Sequence, residues 1–156
     1  MRRLLGAKIR YLREQQRLTQ VELAQRLNLA SHSHLNNVEA SRRAASLDLI
    51  VRVAHIFHVP TDYLLRDTVP IEAFTNQTVM KSSTSLAWQQ VFRTGLIQLR
   101  EQHQISQSQL ARSLGLNSQA YISNLEIGRK VPSPEVIVQI ADLFDTTTDT
   151  LLVGDE

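Results

Sequence analysis

Five histidines, a scatter of serines and two basic pairs are the residues of this 156-residue chain whose types and spacing could do chemistry. His55 and His58 stand three apart, a spacing at which two imidazoles on one helix could share a cation, but no third ligand accompanies them. His32 and His34 are two apart and would point in different directions on a helix. Solvated histidines are therefore expected, and no metal site. There is no cysteine, which excludes disulfides and thiolate ligands. Ser31, Ser46, Ser106, Ser118 and Ser133 each stand where a helix N-cap is needed, which accounts for them without nucleophilic chemistry. No Gly-rich phosphate loop is present and no acidic cluster suits two metals, so neither an enzyme nor a cofactor is expected. The basic pairs Arg42-Arg43 and Arg129-Lys130 are different: they recur at one place in the two halves of the chain.

Charge is distributed unevenly. The net value is +2, yet residues 1–66 carry +6, residues 67–85 carry −1 and residues 86–156 carry −3. A basic half attracts polyanions, which does not by itself separate DNA from RNA or anionic lipid. With 42% hydrophobic and 21% charged residues, the composition is that of a globular protein. No apolar run approaches the roughly 20 residues that span a bilayer. The apolar part of the opening stretch is too short for a signal peptide. No membrane association is expected, and the cytoplasm is the expected location.

The chain repeats itself at an offset of 87 residues. Leu12-Arg13-Glu14-Gln15 returns as Leu99-Arg100-Glu101-Gln102, Asn37-x-Glu39 as Asn124-x-Glu126, and Leu64-Leu65 as Leu151-Leu152; 22 of the 54 positions from Leu12 to Leu65 are identical without a gap. The repeated unit, about 60 residues, is large enough to fold alone.

Each unit reads as about five short helices. The first runs near Leu4–Gln16, with Leu5, Ile9 and Leu12 on one face. Thr19-x-x-Glu22 and Ser106-x-x-Gln109 have capping-box spacing at the start of the second. Ser31 and Ser118 cap the third. Ser46 and Ser133 cap the fourth, with Pro134 at its first position in the second copy. Thr61-Asp62 and Thr148-Asp149 open a fifth. Gly115 follows Leu114 where a left-handed residue ends a helix. Val53, Ile56 and Phe57, with Ile140, Leu143 and Phe144, read as core. Nothing alternates with a two-residue period, so the fold is expected to be all-α.

Two capped helices joined by a tight turn are a helix-turn-helix. The motif Leu-Arg-Glu, Ser-Gln-x-x-Leu-Ala, Leu-Gly-Leu, Ile-Ser-Asn-Leu-Glu-x-Gly-Arg-Lys-x-Pro-Ser across Leu99–Ser133 resembles the lambda-repressor/Cro-like (xenobiotic response element, XRE) family. The resemblance covers both units, nearly the whole chain outside residues 67–85. The first unit departs from it at Ser41, where the family has Gly, and at Ala45, where it has Pro. The resemblance implies two tandem five-helix lambda-repressor-like domains, residues 1–66 and 86–156, in a transcriptional repressor that binds double-stranded DNA.

It also implies which residues act. The third helix would enter the major groove. In the second unit Ile122 and Leu125 face inward, leaving Gln119, Ala120, Ser123 and Asn124 outward; the resemblance places base contacts at Gln119, Ala120 and Asn124. Gln and Asn amides can pair bidentately with adenine. In the first unit Leu35 and Val38 face inward, and the corresponding reading positions are His32, Ser33, Asn36 and Asn37. The two faces differ, so the two heads are expected to prefer different half-sites. By resemblance Gln20 and Gln107 hold phosphate at a helix N-terminus, as do Arg42, Arg43, Arg129 and Lys130 in the following loop. Arg13 and Arg100 are instead expected to pair with Glu39 and Glu126, partly buried, locking the first helix to the reading helix.

Residues 67–85 contain Val69, Ile71, Phe74, Val79 and Met80, too many apolar side chains for a plain flexible linker. They either dock between the heads or build a dimer interface, and Leu86, Ala87 and Trp88 extend the next helix backwards. A 19-residue coil has a mean reach of roughly 24 Å and a limit near 60 Å. Successive major grooves are about 34 Å apart, so reach decides nothing. A homodimer is expected, since dimers read two half-sites. The alternative is a protein-interaction or antitoxin-type regulator in which one unit serves dimerisation or partner docking.

Overall fold

The computed structural model describes residues 3–74 and 87–154, and the chain clusters into two compact units, Met1–Ser82 and Ser83–Glu156. All regular structure among the described residues is helical. The sequence positions Val79, Met80, Leu86, Asp155 and Glu156 lie outside them.

The first unit consists of α1 (Leu5–Gln15), α2 (Gln20–Arg26), α3 (His32–Glu39), α4 (Leu47–Phe57) and α5 (Thr61–Leu65). Helix starts are set by side chains that take up otherwise unpaired N–H groups. Thr19 and Glu22 form a reciprocal capping box at α2, Ser31 accepts the Ser33 N–H at α3, and Ser46 accepts the Leu49 N–H at α4. Left-handed residues end segments at Asn28 and Ser41. Inside, Ile9, Leu12, Leu23, Leu35, Ile50, Val53 and Leu64 are buried in one core.

A segment beyond Arg66 completes this unit. The Asp67 carboxylate accepts the Arg3 and Leu4 N–H groups (3.0 and 3.1 Å), a charge-favourable place before the first turn of α1. A 3-10 turn at Ile71–Ala73 packs on α1. The Tyr63 hydroxyl donates to the Ile71 carbonyl at 2.6 Å, and its pKa is pushed up to about 12, chiefly by burial. Phe74 meets the Tyr63 ring edge-on at 4.9 Å between centroids. Lys8 is fully buried beneath this cover, donating from Nζ to the carbonyls of Tyr63 (2.6 Å) and Arg66 (2.7 Å) and lying 4.9 Å from the centre of the Tyr63 ring. Burial lowers its pKa, partly offset by Asp67. Residues 67–74 are thus a strap on the first unit rather than free linker. A first unit ended at Arg66 is expected to melt lower than one ended at Phe74, by several degrees, in paired thermal-denaturation runs.

The second unit repeats the plan with α6 (Trp88–Gln102), α7 (Gln107–Ser113), α8 (Gln119–Glu126), α9 (Pro134–Leu143) and α10 (Thr148–Leu152). Helix α6 begins at Trp88, whose buried indole joins Phe92 and Leu96 in the core with Leu110, Ile122, Leu125, Ile137 and Ile140. Ser106 and Gln109 form the second capping box. Gly95 and Thr150 occupy the places of Lys8 and Tyr63, and an open groove of about 400 Å³ runs beside them along α6. One sequence expectation fails here: Leu143 is 41% exposed, because its place in the last turn of α9 points it past the edge of the core that Ile140 and Phe144 complete.

Candidate nucleic-acid interface

The third helix of each unit sorts its residues by face. On α3, Leu35 and Val38 are buried, His32, Ser33 and Asn36 are exposed, and Asn37 is half-buried. On α8, Ile122 and Leu125 are buried, Gln119 and Ala120 are exposed, and Ser123 and Asn124 are half-buried. Each helix therefore turns a short polar row outward, anchored by two aliphatic side chains on the opposite side.

The basic pairs are tied to these rows through the main chain. The Arg42 and Arg43 N–H groups both donate to the Asn37 carbonyl (2.8 and 3.1 Å), and those of Arg129 and Lys130 both donate to the Asn124 carbonyl (2.8 and 3.0 Å). A left-handed residue, Ser41 in one unit and Gly128 in the other, turns the chain into this arrangement. All four cationic side chains are exposed. Lys130 Nζ lies 5.0 Å from the centre of the Tyr121 ring, a cation–π contact that holds the ammonium against α8. The asparagine and the cations after it thus share one hydrogen-bonded backbone turn.

Behind the row lies an ion pair. Arg13 Nε donates to Glu39 Oε1 at 2.7 Å and Nη2 to Oε2 at 3.0 Å, a two-pronged contact. Arg100 makes the same contact with Glu126, at 2.7 and 3.4 Å. Hydrogen bonding to the carboxylates raises the pKa of both arginines. Each also holds a carbonyl at the start of the next segment, Leu18 or Ile105. Both pairs tie α1 to α3, or α6 to α8.

Sequence reasoning missed a third member. Gln20 Nε2 donates to Glu39 Oε2 (2.9 Å), and Gln107 Nε2 to Glu126 Oε2 (2.7 Å). An amide nitrogen carries two hydrogens, so this bond orients the side chain while leaving a donor over. In the second unit the relay continues, with Gln119 Nε2 donating to Gln107 Oε1 at 3.1 Å. A fixed order runs from α6 through Glu126 and Gln107 to a residue of the outer row. In the first unit His32 stands at that last place. The recurrence of Arg, Gln and Glu at the 87-residue offset was the signal available for it.

Other candidates stay separate. His55 and His58 meet edge-on, 6.2 Å between ring centres, and His58 is the left-handed C-cap of α4. Among the described residues no three potential ligands gather for a metal ion, and no helix is long and apolar enough to cross a membrane.

Comparison with known proteins agrees with this geometry. A helix-turn-helix family model matches residues 9–64 and again 96–151. Curated proteins and solved structures gave no match. The two matches together cover more than half of the chain, and each reaches from the first helix of its unit into the fifth. This is a family of DNA-binding regulatory domains and not of enzymes. The chain accordingly belongs to the Cro/C1-type (XRE) helix-turn-helix family, as a DNA-binding transcription regulator with two such domains in tandem.

Proposed function

We propose that the chain is a sequence-specific repressor whose two units, residues 1–66 and 86–156 joined through 67–85, read double-stranded DNA with α3 and α8. Base contacts fall to His32, Ser33, Asn36 and Asn37 in the first unit and to Gln119, Ala120, Ser123 and Asn124 in the second. Phosphate contacts fall to Gln20, Arg42 and Arg43, and to Gln107, Arg129 and Lys130. The observation that carries this reading is the coupling of each outward asparagine to a basic pair through its own carbonyl. Contact with the backbone by the pair sets the depth and angle at which the helix presents its side chains, the division of labour between positioning and reading. The different outer rows support different half-site preferences. The reading includes a homodimer in the cytoplasm, in which two chains present paired heads to a symmetric operator.

Binding-site selection from random duplex DNA at fixed salt tests it, on the full chain and on Asn37→Ala and Asn124→Ala. Each variant removes a side-chain amide but keeps the carbonyl that carries the loop. We expect each to relax one half of the selected motif and to weaken binding to that half about 5- to 150-fold, the equivalent of one bidentate base contact. A motif untouched by either variant would remove both asparagines from the reading set. Sedimentation of the free chain tests the homodimer, and a reporter carrying the selected site within a promoter tests repression.

A further inference from the structure

The two units exchange a glycine across one contact. In the first, Gly6 on α1 lies against the end of α3 and Ser41 follows that helix; in the second, Arg93 stands at the place of Gly6 and Gly128 at that of Ser41. A Cβ on Gly128 would lie 2.6 Å from Arg93 Nη1 and 3.2 Å from its Cδ and Cζ. The Arg93 side chain therefore crosses the very turn that leads from α8 into Arg129 and Lys130. Arg93 and Phe92 from α6 face Gly128, Lys130 and Pro132 across a cleft of about 130 Å³ whose lining contains no carboxylate.

The partners of Arg93 are also unlike those of the structural arginines. Arg13, Arg52, Arg66 and Arg100 each face a carboxylate within 2.9 Å. Arg93 instead donates to the neutral Gln90 Oε1; its Nε, like that of Arg52, is buried with no hydrogen-bond partner among the described residues, but Arg52 has Asp48 beside it. A guanidinium offers five donors, and leaving a buried one unmade is costly. Two cations around a carboxylate-free cleft, on the turn that presents the basic loop, form a receptor for a phosphate oxygen.

We propose that Arg93 is a further phosphate-binding residue of the second unit, clamping with Lys130 a DNA backbone phosphate beside α8. This rests on the proposal that α8 reads DNA. It gives the second unit, which is acidic overall, a third cation at the backbone next to Arg129 and Lys130. The first unit cannot copy the device, because Gly6 has no side chain.

The test is the salt dependence of duplex binding by the full chain, measured on the selected site and on an unrelated duplex. Arg93→Ala is expected to weaken binding to both by a similar factor, about fivefold at physiological salt, and to lower the slope of log K against log salt by about one. Arg93→Lys, which keeps the charge, should retain most of the slope. Arg112→Ala removes an exposed charge near the end of α7, outside the proposed contacts, and should leave the slope unchanged. An unaltered slope in Arg93→Ala overturns the proposal. So does a loss that Arg93→Lys shares in full and that follows a fall in melting temperature, the mark of a packing role. If the unmodified chain binds no duplex at any salt, the DNA reading of α8 fails too; if it binds and only Arg93→Ala is silent, that reading stands alone.

Discussion

Glu126→Ala is expected to lower the melting temperature of the second unit by about 15 °C. The carboxylate is 6% exposed and its partner Arg100 18% exposed, so water can replace little of what the substitution removes. Three bonds disappear together: two from Arg100 and one from Gln107. What remains is a largely buried guanidinium whose one hydrogen-bond acceptor among the described residues is the Ile105 carbonyl. Stranding one partner of a buried pair costs about 3 kcal/mol or more. For a domain of this size each kcal/mol moves the midpoint by roughly 4–8 °C. Glu126→Gln, which keeps the shape and one acceptor, should fall between. Replacing both partners with apolar residues of similar volume should recover most of the loss, because the charges must leave water to pair. Calorimetry on the full chain decides the matter, and a melt unchanged by Glu126→Ala would place the pair among weak surface contacts.

Gly6→Ala should do comparable damage to the first unit through sterics alone. A methyl group at this position would stand 2.4 Å from the Val38 carbonyl oxygen and 2.6 Å from that of Glu39. Both belong to the last turn of α3 and neither can rotate away as a side-chain tip could. Alanine gains about 1 kcal/mol of helix propensity over glycine, but α1 must shift from α3, disturbing Arg13 and Glu39 and opening the core around Ile9 and Leu35. Overpacking of this kind costs about 1–3 kcal/mol and occasionally more; rigid backbone on one side argues for the upper end. We expect a loss of about 3 kcal/mol by denaturant titration of the first unit. Binding should then weaken on the half-site of α3 and remain on that of α8. A variant as stable as the parent would mean that α1 and α3 part without cost.

Much of this was readable beforehand, for physical reasons that differ by element. Capping boxes are local: Thr19 with Glu22 and Ser106 with Gln109 need only a three-residue spacing, and both form. The faces of α3 and α8 follow from the 3.6-residue period, which separates Leu35 and Val38 from the outer row. The buried state of Lys8 was not legible, since a lysine near the start of a helix counts as surface charge until Tyr63 and Arg66 are brought over it. Nor was the strap, whose grip depends on Asp67 meeting two N–H groups more than sixty positions away. Arg93 was not legible because it falls before Leu99, where the aligned part of the second unit begins, and its value depends on the missing side chain of Gly128. Long-range partners were the part that spacing alone could not supply.

The burial of Lys8 has a practical consequence for chemical footprinting. The chain has three lysines, at 8, 81 and 130. Lys8 is sealed inside the first unit, so an amine-acylating reagent cannot reach it while that unit is folded. Lys130 is exposed at the basic loop, and its modification, followed peptide by peptide in a mass spectrometer with and without DNA, reports occupancy of the second head. Acylation at Lys8 reports something else, the opening of the first unit. Two side chains of one chemical type thus serve as separate gauges, one for ligand and one for fold, with no change to the sequence.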